Sequence, residues 1–356
     1  GTVTFNTAGP IPSWSASDGT GGSGELVTTQ YTDNQGNTIS YDVALFTFDS
    51  VNIGDGVTVT LGGDNPLDIN ATGDVTILAA LNADGPDGGG NTALNPWQTE
   101  IPGKLGGGTG GHRNWASASD GTGPVHVSGG ITGYGAKYEG SDSNWQNHTV
   151  GGGGYGGLGG QDNAANGSGQ TYGDMDVTHL FGGSGGGGGG ERAGGAGGGG
   201  IKIVSGGTLT LGGNVSAEGG QGGHRSNEHR RSGGSGSGGS IYLKGDNVVI
   251  NAGVNISANG GAGAQGITGQ GGGAAGAHAK FRLGQGAAAA TRAHAQHGFA
   301  AALLPRQRRE RQLGAEHARR DDGKPSTGVA CADRDDVAPL RLLRIQSSET
   351  AHAVWG

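Results

Sequence analysis

Apolar residues alternate with polar ones in short bursts, separated by Gly, Asn and Asp, and the bursts recur in groups of three. Leu67 to Gly85 reads LDINATGDVTILAALNADG and Ile201 to Gly219 reads IKIVSGGTLTLGGNVSAEG, aligned over 19 residues without a gap. Apolar positions coincide at Leu67/Ile201, Ile69/Ile203, Val75/Leu209, Ile77/Leu211, Leu81/Val215 and Ala83/Ala217. A third copy starts at Ile241, and its Val254 to Gly260 echoes Gly213 to Gly219. Upstream, Phe46 to Phe48 and Val51 to Leu61 alternate in the same way around an Asp55-Gly56 turn signal and read as one more coil. A period of two over three to five residues, with β-branched types, predicts short strands rather than helices. Three such strands in about 20 residues suit one coil of a parallel β-helix, in which stacking sets like residues above like. The expected fold is therefore all-β, a parallel β-helix or solenoid with long glycine-rich insertions.

Glycine dominates what lies between the bursts. The chain holds 85 in 356 residues, where ordinary usage of about 7% would give roughly 25. No Gly-X-Y period exists and prolines number only 10, which excludes collagen. The densest tract, Gly182 to Gly200, has 14 glycines in 19 residues. Two outcomes are open for such tracts: flexible linkers, or extended polyproline-II-like segments and tight turns packed on the frame. Tyr155, Leu158, Tyr172, Leu180 and Phe181 punctuate the tracts with apolar bulk, which a free linker has no use for. Two smaller repeats recur among them. Ser15 to Gly21 reappears unchanged as Ser117 to Gly123, and Gly107-Gly108-Thr109-Gly110-Gly111-His112-Arg113 reappears as Gly219-Gly220-Gln221-Gly222-Gly223-His224-Arg225.

Composition breaks near residue 275. Residues 1–274 hold 77 glycines and 9 Lys+Arg against 22 Asp+Glu, net −13; residues 275–356 hold 8 glycines, 19 alanines and 13 Lys+Arg against 8 Asp+Glu, net +5, and the two sum to the whole chain's −8. Four parts follow: β-rich coils over 1–85, a glycine-rich insertion with loop modules over 86–200, repeat coils over 201–274, and an Ala/Arg-rich tail over 275–356. The tail reads either as a disordered basic segment or as a frameshifted continuation, and on both readings it carries no native fold. Shifting each codon by one base turns GCN alanines into Gly, Ser, Arg or Cys, so that Ala277 to Phe281 becomes roughly Gly-x-Arg-x-Ile, the entry to another strand. Translating the parent DNA in the neighbouring frame is expected to extend the glycine-rich strand pattern; an early stop codon there would refute the frameshift.

Residues 1–274 contain no cysteine, which excludes a disulfide framework and thiolate-ligated metal. No stretch approaches the roughly 20 apolar residues of a membrane span, and the acidic balance offers no nucleic-acid footprint. The opening Gly1-Thr2-Val3 suggests a mature product or an internal fragment. A mildly acidic, lysine-poor, Gly/Ser/Thr/Asn-rich chain points to an extracellular or cell-surface location. Asp18, Asp84, Asp87 and Asp120 precede glycines, as carboxylates do in turns and in calcium loops. Neither the EF-hand spacing nor a nonapeptide calcium array is present, so turns are expected, with weak Ca2+ binding as the residual and no other cofactor. His224, Arg225, Glu228 and His229 crowd one Gly/Ser loop. Their spacing is not the i, i+4 helical pair of a zinc protease, so His112, Arg113, His224, Arg225 and His229 read as possible ligand-contact loops rather than catalysts.

The succession of Gly151–Gly157 around Tyr155, Leu180-Phe181-Gly-Gly-Ser184, Gly197–Gly200 leading into Ile201-Lys202-Ile203, Ser216-Ala217-Glu218-Gly-Gly and Ser257-Ala258-Asn259-Gly-Gly resembles the glycine-rich repeat proteins of bacterial surfaces, with related patterns in plant glycine-rich proteins. The resemblance spans roughly residues 45–274. It implies a secreted or surface-displayed, adhesin-like β-helix and supplies no catalytic residues. The expected function is a non-catalytic structural or adhesive protein whose partners are glycans or other cell-surface components. The alternative is a carbohydrate-active β-helix enzyme, a polysaccharide lyase or hydrolase.

Overall fold

The computed structural model describes residues 1–32, 36, 38–89, 100–112, 121–123, 138–139, 149–156, 158–159, 169, 171–173, 177–189, 192–223, 233–263 and 280–283. Every regular element among them is a strand. In chain order these are β1 (Thr2–Asn6), β2 (Ser13–Ala16), β3 (Gly21–Ser23), β4 (Glu25–Thr32), β5 (Thr38–Phe48), β6 (Val51–Ile53), β7 (Thr58–Gly62), β8 (Leu67–Ala71), β9 (Val75–Ile77), β10 (Leu81–Asn82), β11 (Tyr138–Glu139), β12 (Thr149–Val150), β13 (Gly200–Ser205), β14 (Thr208–Leu211), β15 (Val215–Ser216), β16 (Ser240–Lys244), β17 (Asn247–Ile250), β18 (Ile256–Ser257) and β19 (Lys280–Leu283).

The aligned blocks lie side by side in the register their sequences share. Ile201 pairs with Leu67 and Ile241, Leu209 with Val75 and Val248, and Val215 with Leu81 and Ile256, all in parallel ladders. Inward-facing residues of each ladder stack into columns such as Phe46, Ile69, Ile203 and Leu243, each 1% exposed or less. Removing such columns from water supplies the main apolar driving force, at roughly 25 cal/mol per Å² buried. Between the second and third copies the offset changes from 39 residues at Leu209↔Val248 to 41 at Val215↔Ile256. The two extra residues are absorbed in the turn after β17, where Gly253 takes a φ of 86°.

Among the described residues no closed parallel β-helix is formed, and the solenoid expectation is overturned by the pairing. The strands fall into separate sheets, two of them mixed. In the six-stranded sheet β4 and β5 form an antiparallel hairpin, in register from Glu25↔Leu45 to Thr32↔Thr38, beside the parallel strands β8, β13, β16 and β19. Upstream, β5 and β6 do lie parallel to β8 and β9, but β7 turns away to pair with β1, which is antiparallel to β2. The third ladder is only two residues deep, and its strands run on into glycine segments before the chain re-enters the six-stranded sheet at β13, β16 and β19. The tail, expected to carry no native structure, contributes β19, parallel to β16 with Ile241↔Phe281 in register.

The glycine tracts are packed, and their bonding has a period of three. Along Gly194 to Gly200, the amides of Gly194, Gly197 and Gly200 donate to the carbonyls of Gly111, Gly108 and Leu105. Those of Gly195 and Gly198 donate to Gly234 and Ser237, and those of Ala196 and Gly199 to Pro86 and Ala83, all at 2.7–2.9 Å. Segments 182–189 and 217–223 donate back, from Gly183 to Gly198, Gly186 to Gly195, Gly220 to Ala196 and Gly223 to Ala193. Polyproline-II backbone has about three residues per turn and no internal hydrogen bonds, so successive amides point to different neighbours, and here neighbouring segments replace water. A Cβ added at Gly194, Gly195, Gly197 or Gly198 would sit 2.0–2.1 Å from a neighbouring carbonyl oxygen. Buried serines stitch the array further: the Ser184 amide donates to Ser237 Oγ at 2.8 Å, and the Ser184 hydroxyl donates to the Gly154 carbonyl. Tyr155, Tyr172, Leu180 and Phe181 pack with Tyr31, Ile39, Tyr41 and Val43 of the β4–β5 hairpin, while Leu158 stays 62% exposed.

Candidate functional site

The carboxylates of the first block, and Asp87 just beyond it, reach across to the second block and its continuation at one constant offset. Asp68 Oδ2 accepts from Lys202 Nζ at 2.7 Å, Asp74 Oδ1 from the Thr208 amide at 2.7 Å, Asp84 Oδ1 from the Glu218 amide at 2.8 Å and Asp87 Oδ1 from the Gln221 amide at 2.7 Å, each partner 134 residues further on. Two of the candidate carboxylates, Asp84 and Asp87, are thus clamps between adjacent blocks. Asp84 Oδ2 also accepts from Asn82 Nδ2 at 2.7 Å. Lys104 Nζ donates to Asn82 O and Oδ1, both at 3.1 Å; burial lowers the Lys104 pKa, and the charge of Asp84 works the other way. Alanine at Asp84 or Asp87 is expected to lower the unfolding free energy by about 0.5–1.5 kcal/mol each, one hydrogen bond's net worth, as measured by urea titration. A calcium-dependent gain in the parent that either variant loses would instead assign these carboxylates to a metal.

Asp18 closes a turn. Its Oδ1 accepts from the Thr20 hydroxyl at 2.6 Å and the Thr20 amide at 2.9 Å, which together hold its carboxyl below the ordinary value of 3.8. Gly19 supplies the left-handed residue, with φ 89°. No group of three or more His, Cys, Asp or Glu that could hold a metal occurs among the described residues. Asp120, Arg113, His224, Arg225 and His229 lie outside the described residues. The two Gly-Gly-x-Gly-Gly modules that lead to His112 and His224 flank the same central segment, Gly111 accepting from Gly194 and Gly223 donating to Ala193. His112 is half-buried at the end of its module.

Sequence reasoning missed Asp68. It is 7% exposed on β8, between Leu45 of β5 and Lys202 of β13; one oxygen meets Lys202 and the other has no hydrogen-bond partner among the described residues. Burial pushes its carboxyl above 3.8, with Lys202 pulling the opposite way. The signal was present in the gapless alignment, which sets Asp68 opposite Lys202.

A cleft of about 420 Å³ opens between the β1–β2 pair and β6. Val3, Trp14, Phe48, Val51, Ile53 and Val57 give it apolar walls, and Asp18 and Asn52 are among its polar lining. The Trp14 and Phe48 rings meet edge to face at 5.6 Å. Comparison with family models, characterised proteins and solved structures finds no match. The chemistry therefore rests on these residues alone. They offer a concave aromatic surface with a carboxylate, an Asp–Lys pair on a sheet, and carboxylates that accept backbone amides of the adjacent block. No helix among the described residues is long and apolar enough to cross a membrane.

Proposed function

We propose that this chain is a non-catalytic structural or adhesive protein, secreted or held at a cell surface, that binds glycans. The observation that supports this most is that Asp84 and Asp87 each accept a backbone amide of the adjacent block at one constant offset, which gives these carboxylates a place in the frame. The glycine array adds a rigid frame made of buried backbone, suited to load-bearing display. The acidic, cysteine-free, lysine-poor composition of residues 1–274 and the resemblance to glycine-rich bacterial surface proteins support the location.

A competing reading, polysaccharide cleavage, draws on Asp68, whose carboxyl is raised by burial beside Lys202. The full chain applied to a glycan array and to polysaccharide turnover assays separates the two. Binding without turnover is expected. Turnover abolished by Asp68→Asn would replace the adhesive reading with the enzymatic one.

A further inference from the structure

We infer that the cleft between the β1–β2 pair and β6 is a subsite for a cationic amino sugar, a glucosamine-type unit within a polysaccharide. The inference rests on the glycan-binding reading and names its site and sugar class.

Three features carry it. The first is a cavity of about 420 Å³, within the roughly 300–1,000 Å³ typical of small-ligand sites. The second is a fixed aromatic wall. Trp14 is half-buried, with Phe48 against it at 5.6 Å and Gly22 of β3 so close that an added Cβ would lie 2.8 Å from the indole Nε1. A pyranose ring presents a C–H face that packs on such a ring while its hydroxyls stay wet, and a nearby ammonium gains further from the indole's negative face. The third is polar capacity left over at the cleft. Asp18 is exposed; Thr20 donates twice to its Oδ1, and among the described residues no other side chain donates to the carboxylate, which leaves Oδ2 for a ligand. The hydrogen bonds from Thr20 lower the pKa of that carboxylate. Asn52, also exposed and lining the cleft, supplies an amide that takes no hydrogen bond from the protein's described residues. Apolar walls alone would suit many ligands, whereas the free carboxylate oxygen selects a cation.

The test is calorimetric titration of the full chain with a glucosamine tetramer and with its N-acetylated counterpart, at mildly acidic pH so that the sugar amine is protonated. The glucosamine tetramer is expected to bind more tightly. Asp18→Asn should weaken it by about tenfold, as loss of a charge-assisted contact implies, and leave the acetylated tetramer unchanged. Trp14→Ala should weaken both, and Trp14→Phe, which keeps an aromatic wall and serves as the folding control, should retain most binding. Equal affinity for the two tetramers, an Asp18→Asn variant indistinguishable from the parent, or tighter capture of a lysine-rich peptide than of the amino sugar would overturn the assignment. If other glycans bind and Trp14→Ala leaves them untouched, only this subsite fails. If no glycan binds the parent at all, the adhesive reading fails with it.

Discussion

Alanine in place of Gly197 is expected to destabilise the protein by about 3–5 kcal/mol, for the addition of a single methyl group. The Cβ would lie 2.0 Å from the Gly183 carbonyl oxygen and 2.3 Å from its carbon, and neither is the far end of a side chain that could swing aside. Relief requires segments 182–189 and 192–200 to separate. That strains the bond from Gly183 to Gly198 at 2.7 Å and the bond from Gly197 to Gly108 at 2.9 Å. Overpacking costs about 1–3 kcal/mol, and each buried amide or carbonyl left unmatched costs about 1–3 more. The control is Gly54→Ala, where an added Cβ meets nothing within 4 Å and a surface substitution is expected to stay within about 0.5 kcal/mol. Ala196, buried in the same segment, shows that the array accepts a methyl in one of its three directions. Chemical denaturation of the three proteins decides the matter. Equal midpoints for Gly197→Ala and Gly54→Ala would mean that the glycine segments do not pack as described.

How much of this was legible depended on whether a residue type carried information about its partner. The gapless match of Leu67–Gly85 to Ile201–Gly219 was visible because Ile, Leu and Val columns repeat, and the spatial register follows it pair for pair. What sequence alternation does not encode is which edge a strand joins. Thus β7 alternates as well as β9 yet pairs with β1, and the expected closed helix gives way to separate mixed sheets. The β4–β5 hairpin is marked by β-branched and aromatic residues on both sides of Asp33-Asn34-Gln35-Gly36-Asn37, a signal that lies outside the three-strand repeat. Within unbroken runs such as Gly197–Gly200 nothing distinguishes one residue from the next, so their three-directional bonding was beyond inference, whereas Tyr155, Tyr172, Leu180 and Phe181 marked the side that docks. The cleft was equally hidden, because Trp14 and Asn52 come together only through the pairing of β1 with β7 and the turn from β5 into β6.

Lys202→Met is expected to cost about 1–3 kcal/mol at neutral pH, with most of the loss recovered on acidification. Removing one partner of a fully buried pair costs about 3–5 kcal/mol because it strands the other charge. The figure is discounted here because 34% of the Lys202 side chain is exposed, against 10% of Asp68. The pH dependence follows from which state holds the proton. Burial raises the Asp68 carboxyl above the unfolded value of 3.8, so between 3.8 and that higher pKa the native state binds a proton that the unfolded chain has released. Stability from this group therefore falls as pH rises through the window and is regained as pH falls. Without Lys202 the carboxylate loses the interaction that opposed desolvation, its pKa climbs further, and the window widens. Asp68→Asn abolishes the dependence altogether and, by removing the buried charge, is expected to cost less than Lys202→Met at neutral pH. Urea midpoints of the parent and both variants across the acid range test the sign. A Lys202→Met deficit that deepens toward acid would show that Asp68 is stabilised as the carboxylate by groups other than Lys202, and it would also remove the ground for Asp68 as a proton donor in polysaccharide cleavage.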